Sequence, residues 1–330
     1  MAFRSFGEQS RYYFDRPHKS MPEGKVISSA DWRGADMRAR PEDWTYRLTP
    51  TDLREIRYAV DHVKADAMDM ADLSRETFPL PTLGPKINSW RDAVQNGPGF
   101  VLIKGLPVAV WGEEDSTLAY WGLGHYLGIP GAQNPDNELL GHVIDYSEER
   151  TNPLVRRYRT AGNIDFHCDA ADVVGLLCLH AAKDGGQSRI ASSVAIYNEI
   201  SDRDPALAAR LFEPFMIDRR GEENKGQRGY YKRPACCHAD GILRTFFHSE
   251  YMRSAARFTD GGQFDEITAK TLDLYDELAA SDEFHLDMYL EPGDIQFISN
   301  HSIVHARTEY QDYPERERKR HLLRLWLSLN

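Results

Sequence analysis

The segment "RHLLRLWLSL", residues 320–329, restricts the fold strongly because its alternate positions carry different kinds of side chain. In a β-strand, successive side chains point to opposite faces. One face would then carry only leucines, namely Leu323, Leu325, Leu327 and Leu329. The other would carry Arg320, Leu322, Arg324, Trp326 and Ser328. Leucine and tryptophan make this second face a poor surface for open water, so we expect a buried role for Arg320. Pairing of both arginines with nearby acids on a solvated face is the alternative.

Short strand-like runs dominate the sequence from Asn163 onward, and one polar helical stretch interrupts them at residues 266–280. In "FHLDMYLEPGDIQFI", residues 284–298, apolar residues alternate with polar ones before a Pro-Gly-Asp turn. This pattern predicts a hairpin. We therefore expect the C-terminal half to be mainly β.

The first 95 residues differ from the rest because helical signals dominate there. Thr49, Pro50 and Asp52 form a helix start before apolar residues at helical spacing, and we expect that helix to lie against the outside of a sheet. The run "FVLI" between two glycines predicts a short buried strand, and residues 116–127 predict a second helix. No convincing linker is present, so we expect one domain over 1–330, with 1–95 as an N-terminal helical elaboration and 97–329 as the core.

Charge and apolar content limit the partners of this chain. A net charge of -11 repels nucleic-acid phosphates and anionic lipid, so we expect a small-molecule substrate, no nucleic acid and no membrane. No apolar stretch approaches the roughly 20 residues that span a bilayer, and the start lacks an apolar signal core, which predicts a cytoplasmic protein. The four cysteines are expected to be reduced thiols. The sequence leaves open whether the chain forms a homo-oligomer.

Three histidines are followed two positions later by an aspartate: His167, His238 and His285. In a strand such a pair points to the same face and can supply two metal ligands. A mononuclear iron site needs two imidazoles and one carboxylate on one side of the metal, with positions left open for a cosubstrate and oxygen. With twelve histidines and 51 acidic residues, chance also produces such pairs, so the motif alone is weak.

Sequence context favours the first pair. Asp240 precedes Gly241 in a predicted hairpin turn, where the acid serves the backbone. His285 and Asp287 fall on the polar face of a predicted strand. The pair His167 and Asp169 instead leads into a long apolar run, as expected where a strand enters a core.

The third ligand is expected from a distant strand, and "SNHSIVHARTEY" offers His301 and His305. His305 lies fifteen residues before Arg320, with a charged loop between them that can turn the chain back antiparallel. An arginine on the neighbouring strand would then face the metal pocket and grip a carboxylate with its bidentate fork.

The segments "FHCDAADVVGLLCLHAAKDGGQS", "EPGDIQFISNHSIVHARTEYQDYP" and "RKRHLLRLWLSL" together resemble the TauD/TfdA branch of iron(II)- and 2-oxoglutarate-dependent dioxygenases over roughly residues 97–329. The fold expected with this resemblance is a double-stranded β-helix, a cupin-like jelly roll of two facing antiparallel sheets, with helices on one outer face. The resemblance makes His167, Asp169 and His305 the iron ligands.

The resemblance also assigns the cosubstrate and substrate positions. Arg320 corresponds to the arginine that holds the distal carboxylate of 2-oxoglutarate. Ser188 corresponds to the hydroxyl after a Gly-Gly pair that shares this carboxylate, where the family usually has threonine. Arg324 matches a position that grips an anionic group of the substrate in some relatives, and Asn163 one that lines the substrate pocket in some members.

The implied activity uses Fe(II), 2-oxoglutarate and O2, releases succinate and CO2, and oxidises a C–H bond of a small, acidic or amino-acid-like molecule. Asp169 favours hydroxylation, since a halogenase of this chemistry needs the carboxylate position vacated; desaturation, cyclisation and dealkylation stay open. The alternatives are a non-redox jelly-roll protein that binds a carboxylate, and a zinc hydrolase on the same scaffold.

Overall fold

Two β-sheets face each other in the computed structural model, which describes residues 3–15, 17, 19–146, 159–223, 225–258 and 264–329. The strands of the large sheet are β1 (Thr45–Arg47), β2 (Phe100–Lys104), β3 (Ile129–Gly131), β4 (Leu140–Val143), β6 (Val173–His180), β14 (Ile295–Ser299) and β17 (His321–Ser328). Their order in the sheet is β1-β2-β14-β6-β17-β3, and β4 also pairs with β17.

The strands of the small sheet are β5 (Ile164–His167), β8 (Ser188–Ser192), β13 (His285–Met288) and β15 (Ile303–Arg307). Their order is β13-β8-β15-β5. Three short antiparallel pairs complete the described strands: β7 (Asp184–Gly185) with β16 (Tyr310–Gln311), β9 (Pro214–Asp218) with β10 (Tyr230–Pro234), and β11 (Cys236–Ala239) with β12 (Ile242–Thr245).

A hydrophobic cluster between the two sheets holds them together. Phe100 and Trp326 of the large sheet pack there with Ile190 and Leu286 of the small sheet. The leucine face of β17 belongs instead to a cluster on the outer side of the large sheet, so the alternation predicted for this strand is confirmed. The architecture is the predicted jelly roll.

Helices cover both outer faces, whereas only one covered face was expected. The outer face of the large sheet carries α3 (Pro50–Ala65), α4 (Leu83–Gln95) and α5 (Val108–Leu127). The outer face of the small sheet carries α6 (Ser193–Arg203), α7 (Pro205–Arg210) and α9 (Glu266–Ala280). Each sheet has one face in the interior between the sheets, and its other face is also apolar and needs a cover. The remaining helices are α1 (Phe6–Phe14), α2 (Gly34–Ala39) and α8 (Ser249–Ser254).

The N-terminal start signal of α3 operates as predicted. The Thr49 hydroxyl accepts a hydrogen bond from the Asp52 N–H, and the Asp52 carboxylate accepts one from the Thr49 N–H. This capping box satisfies two backbone donors that have no partner inside the helix. The helix packs on α5 and shares the cluster that covers the large sheet.

The hairpin predicted for residues 284–298 is wrong. Strand β13 pairs with β8 in the small sheet, whereas β14 pairs with β2 and β6 in the large sheet. The Pro-Gly-Asp turn thus carries the chain from one sheet to the other, which local alternation cannot distinguish from a hairpin. His285 is also buried rather than on a wet face.

The turn predicted at Asp240 and Gly241 is confirmed. Both residues have positive φ, at 53° and 75°, and join β11 to β12. This is the backbone conformation that a tight two-residue hairpin loop requires. In the described part of the chain, no helix combines the length and the apolar character that a membrane crossing needs.

Candidate metal centre

Three predicted ligands converge at one end of the small sheet. His305 on β15 is the register partner of His167 at the end of β5, and Asp169 follows two residues later. Nε2 of His167 lies 4.0 Å from Oδ1 of Asp169, and Nε2 of His305 lies 3.9 Å from its Oδ2. One ligand atom from each residue lies within 4.8 Å of the other two.

The imidazole of His167 is oriented by its own strand. Its Nδ1 lies 2.9 Å from the carbonyl oxygen of Asp165, which makes Nδ1 the protonated nitrogen. Nε2 is therefore the free nitrogen, and it faces Asp169. A backbone carbonyl that fixes the tautomer in this way is the usual support of a metal-binding histidine.

The carboxylate of Asp169 accepts hydrogen bonds from the opposite sheet. Nε1 of Trp326 donates to Oδ2 at 3.1 Å, and Nη1 of Arg324 lies 3.4 Å from the same oxygen. Burial opposes ionisation of this group, but the charge of Arg324, together with the hydrogen bond from Trp326, helps to hold the pKa of Asp169 well below its ordinary value. The carboxylate is therefore ionised at neutral pH.

Burial and the neighbouring His167 lower the pKa of His305 to about 3. The imidazole is therefore neutral at pH 7. An ionised carboxylate and a neutral imidazole are the forms that bind a divalent metal ion. Two imidazole nitrogens and one carboxylate form the donor set of a ferrous site with open positions, so these residues fit iron.

Asn300 holds the loop that contains Asp169, the predicted carboxylate ligand. Its Oδ1 accepts a hydrogen bond from the Asp169 N–H at 3.1 Å, and its Nδ2 donates to the carbonyl of Ala171 at 2.9 Å. Asn300 is fully buried. Its side chain therefore connects the end of β14 to the loop after β5.

The neighbouring histidine His301 is not part of the three-residue cluster. Its Nε2 lies 2.8 Å from Oδ1 of the buried Asp172. Of the two histidines that the sequence offered as the distant ligand, only His305 therefore points at Asp169.

The other two His-x-Asp pairs lie outside this site. Asp287 forms an ion pair with Arg189 at 2.7 Å, and Nε2 of His285 lies 3.7 Å from the Asp287 carboxylate. Asp240 lies in the hairpin turn after His238.

A cavity opens beside the three ligands and extends to Arg320. The cavity is lined by Val143, Ile164, His167, Asp169, Val174, Leu176, Ser188, His305, Ala306, Arg307, Arg320, Leu322 and Arg324. Arg320 is 5% exposed, and within the described residues its Nη1 is buried without a hydrogen-bond partner. A buried guanidinium with an unsatisfied donor fits the carboxylate of a bound anion.

The Gly-Gly pair makes room for this arginine. Gly186 has a φ of 72°, and a Cβ placed there would lie 3.0 Å from Nε of Arg320. Gly185 also has positive φ, and an added Cβ would lie 2.3 Å from the carbonyl oxygen of Glu309. Both positions therefore require glycine.

Arg320 reaches the cavity by a different route from the one predicted. The strand of His305 belongs to the small sheet, and β17, which starts directly after Arg320, belongs to the large sheet. The two strands face each other across the sandwich, so the arginine approaches the cavity from the opposite wall. The charged loop between them crosses between sheets instead of making an antiparallel neighbour.

Ser188 lines the same cavity and is 5% exposed. Its hydroxyl donates a hydrogen bond to Oε1 of Gln296 on β14 at 2.9 Å. Arg324 lines the cavity as well, and its Nε donates to Oε1 of Gln133 at 2.7 Å. Asn163 is exposed, does not line the cavity, and donates to Oδ1 of Asp165 at 2.8 Å.

Three residues of the site were missed in the sequence. Trp326 contacts Asp169, and Gln133 contacts Arg324. Arg307 contributes a third guanidinium to the cavity wall. The alternation of β17 already placed Trp326 on the face of Arg324. Arg307 lies two residues after His305 on the same strand, so strand parity was a signal for it too. No local signal pointed to Gln133.

A jelly roll that gathers two imidazoles and a carboxylate beside a cavity lined by arginines defines the class of non-haem iron oxygenases. Residues 66–326 match the model of the family described as taurine catabolism dioxygenase TauD, TfdA family. The chain belongs to this family. It is a 2-oxoglutarate-dependent dioxygenase whose cofactors are Fe(II), 2-oxoglutarate and O2. A carboxylate-binding protein without redox chemistry and a zinc hydrolase are thereby set aside.

Two curated relatives align with most of the chain. FR-33289 synthase of Streptomyces rubellomurinus is 30% identical over 303 residues, which cover 90% of this chain and 89% of that protein. The taurine hydroxylase-like protein SAT17 of Stachybotrys chartarum is 29% identical, with coverage of 94% and 82%.

Two solved structures share the fold. Asparagine oxygenase in complex with Fe(II), 2S,3S-3-hydroxyasparagine and succinate superposes with a TM-score of 0.68 at 16% identity, covering 86% of this chain and 93% of that one. The non-haem iron oxygenase OrfP in complex with Fe, succinate and (3S)-hydroxy-L-Arg superposes with a TM-score of 0.64 at 16% identity, with coverage of 87% and 94%.

Proposed function

We propose that the chain hydroxylates a C–H bond of a small, acidic or amino-acid-like molecule, with 2-oxoglutarate as cosubstrate. The observation that carries this proposal is that one cavity contains both the ligand cluster and a buried arginine with a free donor. The two features together suit an anion that binds a metal at one end and a guanidinium at the other.

The proposed iron ligands are His167, Asp169 and His305. When bound there, Fe(II) supplies the coupled oxidation of 2-oxoglutarate to succinate and CO2 and of the substrate by O2. His167 presents Nε2 because Asp165 occupies its Nδ1. Asp169 keeps its charge because the Trp326 indole and the Arg324 guanidinium stabilise the carboxylate.

The proposed anchors of 2-oxoglutarate are Arg320 and Ser188. The buried guanidinium offers two parallel N–H donors to a carboxylate. The Ser188 hydroxyl lines the same cavity from the small sheet, and its proton, which is now donated to Gln296, can be redirected to a carboxylate oxygen by rotation of the hydroxyl. The apolar side chains of Leu322 and Val174 line the same cavity.

Charge in the cavity supports an acidic substrate. Among the described lining residues, three guanidinium groups (Arg307, Arg320 and Arg324) face one carboxylate, Asp169. A guanidinium group matches a carboxylate, sulfonate or phosphate in charge and hydrogen-bond geometry, so this lining suits an anionic group on the substrate.

Arg324 and Asn163 are the proposed substrate contacts. Arg324 already lies against Asp169, so an acidic group that it binds would be held close to the metal. The exposed Asn163 lies directly before β5, four residues from His167, where it can contact a larger substrate at the opening of the site.

The small polar molecules named for similar proteins support a small polar substrate. The compared structures hold hydroxyasparagine and hydroxyarginine, which are free amino acids. A third relative, 25% identical over 242 residues, is a uridine-5'-phosphate dioxygenase from an Amycolatopsis species. Each of these ligands carries at least one anionic group, in agreement with the proposed class.

The test is an aerobic assay with Fe(II) and 2-oxoglutarate against a panel of amino acids, carboxylates, sulfonates and phosphates. We expect succinate in equal amount to a product that has gained one oxygen atom. Neutral analogues of the active compound, in which the anionic group is an amide or ester, serve as controls. Turnover of the neutral analogues at the same rate as the acid would refute the substrate class, and a product that has lost two hydrogens would refute hydroxylation.

A further inference from the structure

A second group of potential metal ligands lies at one end of the large sheet, on the face covered by α5. Nδ1 of His142 lies 2.8 Å from Nε2 of His321. Oε2 of Glu113 lies 4.0 Å from Nδ1 of His321. One ligand atom from each of these three residues lies within 4.8 Å of the other two.

The sheet brings the histidines together from three strands. Strand β17 runs between β4 and β6. His142 on β4 pairs with Leu323, two residues after His321, and His180 on β6 pairs with His321 itself. The rings of His180 and His321 have centroids 6.4 Å apart. Adjacent strands hold such cross-strand neighbours on one face.

The carboxylate comes from the helix above the sheet. Gly112 has a φ of 78° and interrupts α5, so the regular part of the helix begins again at Glu113. The Glu113 side chain lies directly after this break and reaches to within 4.0 Å of His321. The side chain is 57% exposed, so a metal ion can reach the group from solvent.

The chemistry of the group suits a transition-metal ion. His321 is 8% exposed, and its Nε2 faces Nδ1 of His142. Zinc–nitrogen bonds of about 2.0–2.1 Å place two imidazole nitrogens about 3.3 Å apart in a tetrahedral site. The observed 2.8 Å needs only a small outward movement to admit an ion.

We propose that His142, His321 and Glu113 form a second metal site, for a divalent ion that prefers imidazole such as Zn²⁺, with His180 as an additional candidate ligand. Imidazole nitrogens with one carboxylate are a common zinc donor set. The site is separate from the iron ligands, because the face of β17 that carries His321 is turned away from the sandwich interior. Since His321 directly follows Arg320, a bound ion would fix the start of the strand at the cavity wall.

The test is the number of Zn²⁺ ions bound per chain in metal-free protein, measured by equilibrium dialysis at pH 7.5. We expect two in the wild type, because the proposed iron ligands also bind Zn²⁺. We expect one in His142→Asn, one in His305→Ala, and none in the double variant. Asparagine can keep a hydrogen bond to His321 but is a poor zinc ligand. His142→Asn therefore distinguishes a metal site from two histidines that are only hydrogen-bonded to each other.

One result would overturn the proposal: the same number of ions in the wild type and in His142→Asn, whether one or two. Thermal unfolding checks that each variant is folded. The exposed Glu113→Gln provides a second variant with little risk to folding. We expect Glu113→Gln to weaken binding of the second Zn²⁺ ion and to leave binding of the first unchanged. Unchanged affinity for both ions would also overturn the proposal.

Discussion

The indole Nε1 of Trp326 donates a hydrogen bond to Oδ2 of Asp169 at 3.1 Å, and so connects the large sheet to the proposed carboxylate ligand in the loop after β5. Trp326 is buried on β17. Asp169 lies in the loop after β5, next to the buried Cys168. The bond fixes the direction of the carboxylate, and removal of such a support typically costs a metal site part of its affinity.

We expect Trp326→Phe to weaken Fe(II) binding roughly tenfold while the protein remains folded. The reason is the loss of one donor to Asp169 with most of the ring volume kept. Anaerobic titration with Fe(II) measures the affinity. Trp121→Phe is the matched control, because its Nε1 is buried without a partner in the described structure. Equal affinity in the two variants would show that the indole hydrogen bond does not support the metal.

Replacement of a proposed iron ligand should remove the metal. We expect His167→Ala to retain no stoichiometric Fe(II) after anaerobic gel filtration, because two ligands cannot hold a ferrous ion tightly. His285→Ala, at the competing His-x-Asp pair, should retain iron as the wild type does. Iron content by colorimetric chelation measures both, and equal retention would mean that the wrong pair was chosen.

Loss of the buried arginine should affect the cosubstrate specifically. We expect Arg320→Met to raise the KM for 2-oxoglutarate roughly a hundredfold, because a charge-assisted bidentate contact contributes about 3 kcal/mol. Succinate release at varied 2-oxoglutarate measures this effect. Arg318→Met is the control, since that side chain is 53% exposed. A larger rise in Arg324→Met than in Arg320→Met would mean that the two arginines have exchanged roles.

The glycine beside Arg320 should be sensitive to a single methyl group. We expect Gly186→Ala to lower stability by about 1–2 kcal/mol, from positive φ, and also to raise the KM for 2-oxoglutarate several-fold by displacing the guanidinium. Gly226→Ala controls for the backbone strain, since its φ is 87° and an added Cβ meets nothing within 4 Å. An unchanged KM for 2-oxoglutarate in Gly186→Ala would show that this glycine does not affect cosubstrate binding.

The cap of α3 should give a pH-dependent contribution to stability. Burial opposes ionisation of Asp52, but Lys86 at 2.7 Å and the Thr49 cap outweigh burial and lower the pKa of Asp52 to about 2. A folded-state pKa below the unfolded value stabilises the fold above about pH 4, and this contribution is lost as the pH falls towards about 2.

We therefore expect Asp52→Asn to lower the free energy of unfolding by about 2 kcal/mol at pH 7 and by less at pH 3. Urea unfolding at both pH values measures the difference. Asp61→Asn on the same helix is the control, because its exposed pair with Arg57 should contribute much less. A loss that is the same at both pH values would exclude the carboxylate charge as its source.

Sequence alone determined the features that depend on local geometry. The alternation of β17 followed from the period of two in a strand, and the two faces of that strand are those of the structure. The bounds of α9 and the start of α3 followed from helical periodicity and capping. The choice of His167 and Asp169 followed from the apolar run behind them, and this pair is the one that meets His305.

Only the tertiary structure decided which strands face or adjoin one another. A Pro-Gly-Asp turn predicted a hairpin but connects two sheets, and Arg320 approaches the cavity from the opposite wall instead of from a neighbouring strand. The contacts of Trp326 with Asp169 and of His142 with His321 join residues more than 150 positions apart. Side-chain alternation is fixed by the covalent geometry of each strand, whereas strand pairing depends on burial summed over the whole chain, which no short segment encodes.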